Sequence, residues 1–263
     1  MIIKWPGGKK WLYKKHSFIF PNSYNNYIEP FFGGGSVFFD LAPKKARLSD
    51  INPRLISLYL MLRDDPEKLF YGTLKLLETH TDAQYYEIRE KFNKTKKGSP
   101  ILFLYLNRTC FNGVYRENLK GEFNVPIGKR NSSYFPFQLS DFLQGALALK
   151  NAEISCCDYL DAMKKAKKGD FIYIDPPYIK YEKDYDAFRK YNEKVFSQED
   201  LEILAETANS LKKKCHILIS NFDIDGVKVL FPDWKYKKIQ QRTYISGKAE
   251  GRKLVKEALI YNY

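Results

Sequence analysis

The chain has 263 residues, 44% of them hydrophobic, which suffices for one large domain or for a core with a smaller module. No run reaches the roughly 18 uninterrupted apolar residues that a membrane span needs, and the first residues lack the apolar region of a signal peptide, so we expect a soluble intracellular protein. The 44 Lys and Arg residues exceed the 31 Asp and Glu residues and give a formal net charge of +13. This charge favours a polyanionic partner, although solvated lysines would produce it equally well.

The start of the chain has the order of elements typical of nucleoside-binding proteins. A short buried strand ends near Ile28 and is followed by the glycine triplet Gly33 to Gly35, a helix that we expect Ser36 to cap, a second strand near Leu48, and then Asp50. Glycines allow close backbone approach to a ligand, and the acid after the second strand accepts hydrogen bonds from ribose hydroxyls. The triplet does not match GxGxxG, which disfavours a dinucleotide. A purely structural glycine turn is the alternative.

Residues 53–107 are predicted to form consecutive helices. Asn52-Pro53, Asp65-Pro66 and Ser99-Pro100 each place a cap-type residue before a proline suited to the first turn of a helix. Apolar residues then recur at helical spacing without an intervening strand. We therefore expect an inserted helical module, followed by a loop-rich stretch from Asn107 to Pro136 that is dense in Asn, Gly, Arg and aromatic residues.

The second half of the chain alternates strands with helices. Asp158 is expected to cap one helix, and Ser197 with Asp200 to form a capping box on another. The strands are predicted at Ala152 to Cys157, Phe171 to Ile174, Ile217 to Ile219, Tyr236 to Ile239 and Ala258 to Tyr261. This alternation predicts an α/β fold with a parallel sheet.

The most specific motif in the sequence is Asp175-Pro176-Pro177-Tyr178, which follows a buried strand. Two consecutive prolines stiffen the chain and end the strand. They fix a rigid loop at the carboxyl edge of the sheet, where α/β proteins bind their ligands. The alternative is a proline-terminated strand whose aspartate points to solvent.

The residue types of this motif suit the methylation of an exocyclic amine. The amino lone pair of adenine is delocalised into the ring, so the nitrogen is a poor nucleophile. The Asp175 carboxylate and the Pro176 carbonyl can both accept hydrogen bonds from this amine, which favours localising its lone pair, and Tyr178 can stack on the base. Positioning can supply as much as roughly 7–11 kcal/mol. The methyl donor would be a sulfonium whose nucleoside the glycine loop holds.

Four segments together give the chain a resemblance to the Dam-like family, the alpha group of N6-adenine DNA methyltransferases. They are Trp5 to Lys9, Glu29 to Gly35, Ser49 to Asn52 and Asp175 to Tyr178, in the order typical of the family. The resemblance implies a Rossmann-like class I methyltransferase sheet with an inserted helical target-recognition domain. It assigns residues 1–54 and 146–263 to the catalytic S-adenosylmethionine-binding domain and 55–145 to the target-recognition domain. The enzyme would be cytoplasmic and encoded by a bacterium or a phage.

The resemblance also implies the cofactor site. Lys9 is expected to reach the carboxylate of the methionine moiety, and Asp158 to approach the cofactor adenine, although helix capping explains Asp158 equally well. The residues expected at the S-adenosylmethionine site are Trp5, Lys9, Phe32, Gly33, Gly35, Asp50, Asp158 and Asp175. No metal is expected, and the four cysteines contain no CxxC pair, which disfavours a zinc knuckle.

DNA recognition is expected in the loop-rich stretch. An adenine amine inside a duplex is inaccessible, so the base must flip out. Residues 107–130 resemble the family's target-recognition hairpin, with Phe111 as the wedge between bases, Arg116 as a guanine contact and GATC as the expected site. The expected DNA contacts are Phe111, Asn112, Val114, Arg116, Pro126, Lys129 and Arg130. An ordinary loop packed on the helical module is the alternative.

A second basic segment, Arg242 to Lys253, lies between the last two predicted strands. It is interpreted either as a solvated hairpin or as a lid over the target base that also contacts phosphate. Double-stranded DNA is the expected partner of a monomeric enzyme, and the sequence leaves open whether a cognate restriction endonuclease acts on the same site.

Competing functions make different demands on the same residues. A cytosine-N4 DNA methyltransferase needs the same geometry but usually carries Ser in place of Asp175. A cytosine-C5 enzyme needs a thiol, commonly after Pro, and the sequence has no Pro-Cys pair. A nucleotide-dependent oxidoreductase would leave the Asp175 motif unexplained, and a non-enzymatic DNA-binding module would leave both cofactor motifs without a role.

Overall fold

The computed structural model describes residues 2–95, 97–128, 137–178, 196–222, 225–242 and 254–263. Within these ranges, seven strands form one sheet in the order β3-β2-β1-β4-β5-β7-β6. The strands are β1 Tyr27–Glu29, β2 Ala46–Asp50, β3 Ala152–Cys156, β4 Phe171–Ile174, β5 His216–Phe222, β6 Lys235–Arg242 and β7 Leu254–Tyr261. Every strand predicted from the sequence is present, which confirms the α/β fold class.

The centre of the sheet is parallel and one side is antiparallel. Strand β1 pairs in parallel with β2 and β4, and β4 pairs in parallel with β5. Strand β7 is antiparallel to both β5 and β6. All four residues of β4 are buried, as expected for a strand covered on both faces. The parallel strands direct their carboxyl ends to one edge, which is where the Asp175 motif begins.

Ten helices are described. They are α1 Lys10–His16, α2 Ser36–Leu41, α3 Pro53–Asp64, α4 Pro66–Glu78, α5 Asp82–Asn93, α6 Pro100–Thr109, α7 Leu139–Leu149, α8 Tyr159–Lys164, α9 Gln198–Leu211 and α10 Asp225–Leu230. The four helices α3 to α6 follow one another without a strand, which confirms the predicted helical run. Within the described residues, none of the helices has both the length and the apolar content that crossing a membrane would require.

The predicted helix caps are mostly confirmed. The Asn52 side chain accepts hydrogen bonds from the backbone amides of Arg54 and Leu55, at 3.0 and 3.2 Å. Asp65 caps α4 by accepting a bond from the Lys68 amide at 3.1 Å. Ser197 and Asp200 form the expected capping box on α9. The sequence was therefore sufficient to locate the starts of these helices.

The prediction that Ser36 caps α2 is wrong. The helix begins at Ser36 itself, and the cap position belongs to Gly35, whose φ of +64° lies in the left-handed region. Glycine enters that region without a steric penalty, so the backbone turns into the helix one residue earlier than a serine cap would allow.

The chain divides into two compact units. The first comprises Met1–Ser17, Phe32–Lys44 and Ser49–Cys156, and the second comprises Phe18–Phe31, Lys45–Leu48 and Cys157–Tyr263. In the first unit, α6 packs against α3, α4 and α5. In the second, buried residues of β4 and β5 such as Ile172 and Ile217 form a core with Leu204 of α9. The division into residues 1–54 with 146–263 and 55–145 stays a prediction.

Candidate active site

The glycine loop of the first unit is held by the acid that ends β2. The Gly33 amide donates to Asp50 Oδ2 at 2.9 Å, and the Asn52 amide donates to Asp50 Oδ1 at 2.9 Å. The loop needs its glycines, since Gly33 has a φ of +47° and Gly35 a φ of +64°. Each carboxylate oxygen can accept a further bond. Asp50 can therefore hold the loop and bind a ribose hydroxyl at the same time.

The environment of Asp50 shifts its acidity. Burial raises the pKa of its carboxyl above the ordinary value, while hydrogen bonds from the backbone amides of Asn52, Gly33 and Ile51 lower that pKa by a smaller amount. Burial disfavours the charged form, and hydrogen bonds to the charged form favour it. The carboxylate is thus kept in a poorly solvated position, where additional donors from a ligand would stabilise it.

Trp5 lies against the glycine loop at Gly33. A Cβ at Gly33 would approach Trp5 Nε1 to 2.9 Å, which is closer than real contacts allow. The Tyr59 hydroxyl donates to the Gly33 carbonyl at 2.9 Å, so the loop is fixed on both of its backbone polar groups. The indole therefore lies directly beside the backbone of the glycine loop.

Two other predicted cofactor residues of this unit are buried. Lys9 is only 4% exposed and precedes α1 as its cap residue. The ring of Phe32 is buried and lies 4.5 Å from Tyr59 between ring centroids. The Phe32 side chain is therefore a packing residue of the loop.

The Asp-Pro-Pro-Tyr loop belongs to the second unit and follows β4. Ile174 is in register with Ile219 of β5, so the next residues of the two strands, Asp175 and Ser220, are neighbours at the end of the paired region. The Tyr178 hydroxyl and Ser220 Oγ are 2.7 Å apart and share a hydrogen bond. The loop is thus tied at its far end as well as stiffened by its prolines.

This loop lies in an acidic environment. Burial raises the pKa of the Tyr178 phenol well above its ordinary value, and the neighbouring Asp175 and Glu257 carboxylates raise it further. Glu29, at the end of β1, is buried and accepts a bond from the Tyr27 hydroxyl at 2.7 Å. Tyr178 consequently stays a neutral phenol at physiological pH. Ser220 was not predicted as a partner of Tyr178, although its position at the end of a predicted strand was a usable signal.

Asp158 acts as a helix cap. Its Oδ1 accepts a hydrogen bond from the Leu160 amide at 2.8 Å at the start of α8. This confirms the capping interpretation of the sequence. A contact between Asp158 and the cofactor adenine stays a prediction.

The predicted hairpin is present in the first unit. Antiparallel bridges join Cys110 to Ile127 and Glu117 to Phe123. The Phe111 amide donates to the Pro126 carbonyl at 2.9 Å. Burial raises the pKa of the Cys110 thiol to about 12, so this cysteine is a packing residue and not a nucleophile.

The side chains expected to meet DNA lie at the surface of this hairpin. Phe111 is 51% exposed, and it is followed by exposed Asn112 with a φ of +53°. Arg116 is exposed and its Nε donates to Asn124 Oδ1 at 2.8 Å. Pro126 is also exposed, whereas Val114 is half-buried. The hairpin therefore presents an exposed aromatic ring and an oriented guanidinium.

Some predicted residues lie outside the described part of the chain. They are Lys129 and Arg130 of the hairpin and residues 243–253 of the basic segment between β6 and β7. Within the part that the structure describes, His, Cys, Asp and Glu side chains form no group of three that could hold a metal ion.

Comparison with known proteins extends over the same segments. The family model for D12 class N6 adenine-specific DNA methyltransferases matches residues 5–245. The chain is 36% identical over 264 residues to DNA adenine methylase of Escherichia coli, covering 98% of this chain and 93% of the relative. It is 35% identical over 270 residues to DNA adenine methylase of Haemophilus influenzae, covering 98% and 92%. It is 33% identical over 276 residues to a type II methyltransferase of Lactococcus lactis subsp. cremoris, covering 100% and 95%.

The match includes Trp5, the glycine loop, the hairpin and the Asp175 motif. It confirms the resemblance given by the sequence motifs and favours adenine over cytosine as the methylated base. It also excludes the oxidoreductase and the non-enzymatic DNA-binding module as functions of the whole chain. The chain belongs to the D12 class of N6 adenine-specific DNA methyltransferases.

Proposed function

We propose that the enzyme methylates N6 of an adenine that has been flipped out of duplex DNA, at GATC sites, with S-adenosylmethionine as the donor. The observation that carries the proposal is the Asp175 motif, whose prolines and Tyr178–Ser220 hydrogen bond of 2.7 Å fix an acid and an aromatic ring in one rigid loop. A poorly nucleophilic amine needs its acceptors and its stacking surface held in this way.

The residues of the first unit fit the nucleoside of this donor. Gly33 has no side chain and allows close backbone approach, and Asp50 keeps acceptor capacity for ribose hydroxyls. Trp5 offers an aromatic face beside Gly33, and Lys9 a cation for the methionine carboxylate. When bound, S-adenosylmethionine supplies an electrophilic methyl group on its sulfonium sulfur.

Asp175 and Pro176 act on the amine. Their carboxylate and carbonyl oxygens accept hydrogen bonds from the two N–H groups of the amine. These hydrogen bonds turn the nitrogen lone pair away from the ring. Tyr178, neutral and tied through its hydroxyl to Ser220, stacks on the adenine. Methyl transfer would form the bond between the nitrogen and the methyl carbon while the bond from that carbon to the sulfonium sulfur breaks and S-adenosylhomocysteine leaves. The Asp175 carboxylate would accept the proton that the nitrogen loses. Stacking on one aromatic ring contributes roughly 1–3 kcal/mol toward holding the flipped base.

The hairpin reads the site. Phe111 enters the duplex beside the flipped base, and Asn112 makes a polar contact there. Arg116 binds guanine through its terminal guanidinium nitrogens, which form no bond within the described residues, while Nε is oriented by Asn124. Such a bidentate contact contributes about 1–3 kcal/mol of discrimination. Lys129 and Arg130 are proposed phosphate contacts.

Mapping the methylated bases tests this function. The gene is expressed in a host without DNA methylation, and its DNA is sequenced by a method that detects N6-methyladenine directly. We expect adenine marks at GATC with the wild-type protein and none with Asp175→Ala, which should still bind duplex DNA in a mobility-shift assay. Marks on cytosine N4 would overturn the reaction, and adenine marks at another motif would overturn only the specificity.

We also propose that the enzyme acts on DNA as a monomer, because it approaches one base at a time. Sedimentation of the protein with a short duplex should give one protein per DNA molecule, and a two-to-one complex would contradict this. Relatives in Lactococcus lactis and Methanocaldococcus jannaschii are named type II methyltransferases. A cognate endonuclease for this enzyme would cleave the mapped motif only when it is unmethylated.

A further inference from the structure

The segment that carries Trp5 is anchored by the hairpin region. The buried side chain of Asn107, at the end of α6, accepts a bond from the Lys4 amide at 2.9 Å and donates to the Lys4 carbonyl at 2.8 Å. It also donates to the Gly113 carbonyl of the hairpin turn at 3.3 Å. A Cβ at Gly113 would come within 2.3 Å of the Lys4 side chain. The backbone before Trp5 is thus bound directly to the hairpin.

The Trp5 ring is held by a ring of the hairpin. Tyr115 stacks on Trp5 with ring centroids 5.5 Å apart and an interplanar angle of 23°. Tyr115 also stacks on Phe103 of α6, at 5.2 Å and 25°. Trp5 in turn contacts Gly33 of the cofactor loop. A continuous series of contacts therefore runs from the hairpin to the glycine loop.

A second connection begins at the same hairpin residue. The Tyr115 hydroxyl forms a short hydrogen bond with Glu117. Glu117 also accepts a charged bond at 3.0 Å from Arg54, which is 4% exposed and donates to the Gly121 carbonyl at 3.1 Å. The Arg54 amide is bonded to Asn52, whose own amide is bonded to Asp50. Both segments of the first unit that are proposed to bind the cofactor are therefore connected to the hairpin.

We propose that Tyr115 is a positioning residue that couples the cofactor site to the DNA-reading hairpin. Because both ligands need the Trp5–Tyr115 stack in one geometry, the first ligand to bind orders it and the second binds more tightly. The inference rests on the proposed function, since it assumes a nucleoside against Trp5 and DNA on the hairpin. Coupling between two sites is reciprocal and is typically about 5–150-fold in affinity.

The test measures this coupling in four proteins. The dissociation constant of S-adenosylhomocysteine, which supports no turnover, is measured with and without a duplex that carries the methylated motif. Tyr115→Leu removes the stack and the hydroxyl, and Tyr115→Phe removes only the hydroxyl. Tyr86→Leu is the matched control, because Tyr86 is a partly exposed ring of α5 in the same unit and takes no part in either connection.

We expect DNA to tighten binding of the analogue about fivefold or more in the wild type. Tyr86→Leu should keep this factor. Tyr115→Phe should reduce it only in part, because it loses the bond to Glu117 but keeps the stack on Trp5, and Tyr115→Leu should reduce it toward one. An unchanged factor in Tyr115→Leu, or a factor of one in the wild type, would overturn the inference. A wild-type protein that binds no analogue, with or without DNA, would instead overturn the proposed cofactor.

A second measurement covers the case in which Tyr115→Leu does not fold. The fluorescence of Trp5 is obtained as the difference between the wild type and Trp5→Phe. Duplex DNA alone, without any cofactor analogue, should change this emission because it fixes the Tyr115 ring against the indole. A Trp5 emission that responds to the analogue but not to DNA would contradict the coupling.

Discussion

Gly33 combines two constraints that can be separated by experiment. Its φ of +47° disfavours any side chain, and a Cβ would also collide with Trp5 at 2.9 Å. Gly7 has a φ of +77°, but a Cβ added there would have no atom within 4 Å, so it carries only the first constraint. The two glycines are indistinguishable in the sequence, where each stands in a glycine-containing motif.

We expect Gly33→Ala to lose affinity for S-adenosylhomocysteine by roughly tenfold or more, because Trp5 must move, whereas Gly7→Ala should change it little. Both variants should lose about 1–2 kcal/mol of folding stability from backbone strain. Isothermal titration gives the affinities and urea denaturation gives the stabilities. Equal affinity losses in the two variants would show that backbone strain, and not the contact with Trp5, governs the site.

We expect Asp50 to give the proposed cofactor site a pH dependence. Its pKa in the free protein is raised by burial, and the ionised form is the one that accepts hydroxyl donors. The affinity for S-adenosylhomocysteine should therefore be highest above this raised pKa and fall as the pH drops through it. The fall should start at a higher pH than it would for an ordinary aspartate, whose pKa is 3.8. Because burial raises the pKa of Asp50 in the folded protein, the ionised carboxylate lowers the free energy of unfolding at a pH above that pKa. Acidification restores this free energy.

The measurement is the dissociation constant of S-adenosylhomocysteine over a pH series from neutral to acidic. Asp50→Asn should bind more weakly at neutral pH and show a flatter profile. If the variant keeps the wild-type profile, another group is responsible for the acid limb.

At the scale of elements, the helix caps show that similar sequence signals can lead to different contacts. Asn52-Pro53 and Ser99-Pro100 look equivalent along the chain, and both precede a helix. The Asn52 side chain accepts two backbone amides, whereas Ser99 makes no side-chain cap bond. We expect Asn52→Ala to lower the free energy of unfolding by about 1 kcal/mol. Ser99→Ala should leave it nearly unchanged in urea denaturation, and comparable losses would contradict this assignment.

Local signals predicted the elements well. The apolar runs at Phe171–Ile174 and around Ile217 predicted β4 and β5, and an Asn-Pro and an Asp-Pro pair predicted the starts of α3 and α4, respectively. These signals depend on residues adjacent in the chain. The prediction that Ser36 caps α2 is wrong for an equally local reason, because residue type alone does not encode the left-handed conformation of Gly35.

The contacts that organise the candidate site could not be predicted in the same way. Trp5 and Tyr115, or Asn107 and Lys4, lie about a hundred residues apart in the chain, and no periodicity joins them. The family resemblance supplied roles for Trp5 and Asp50 but no partners. Partners depend on how α3, α6 and the hairpin pack, which only the three-dimensional structure gives.

At the scale of the whole molecule, we expect the net charge of +13 to affect the binding of DNA and not the binding of the cofactor. Binding to a duplex releases counterions from its phosphates, so the affinity falls with salt in proportion to the number of phosphates neutralised. S-adenosylhomocysteine carries no phosphate and should be held by local contacts at Trp5 and Asp50. The two ligands should consequently respond to salt in different ways.

We expect the affinity for a duplex to fall steeply with salt, by as much as about 10³- to 10⁵-fold between roughly 50 and 200 mM if six to ten phosphates are contacted. The affinity for S-adenosylhomocysteine, measured over the same series by titration, is the internal control and should change little. Arg116→Gln should preserve most of the salt slope but reduce the preference for the cognate motif, because Arg116 is assigned to a base edge. A shallow slope would mean that the excess lysines are solvated and that the charge has no part in DNA binding. If Arg116→Gln lowers the slope without changing the preference, Arg116 contacts a phosphate and the base is read by another residue.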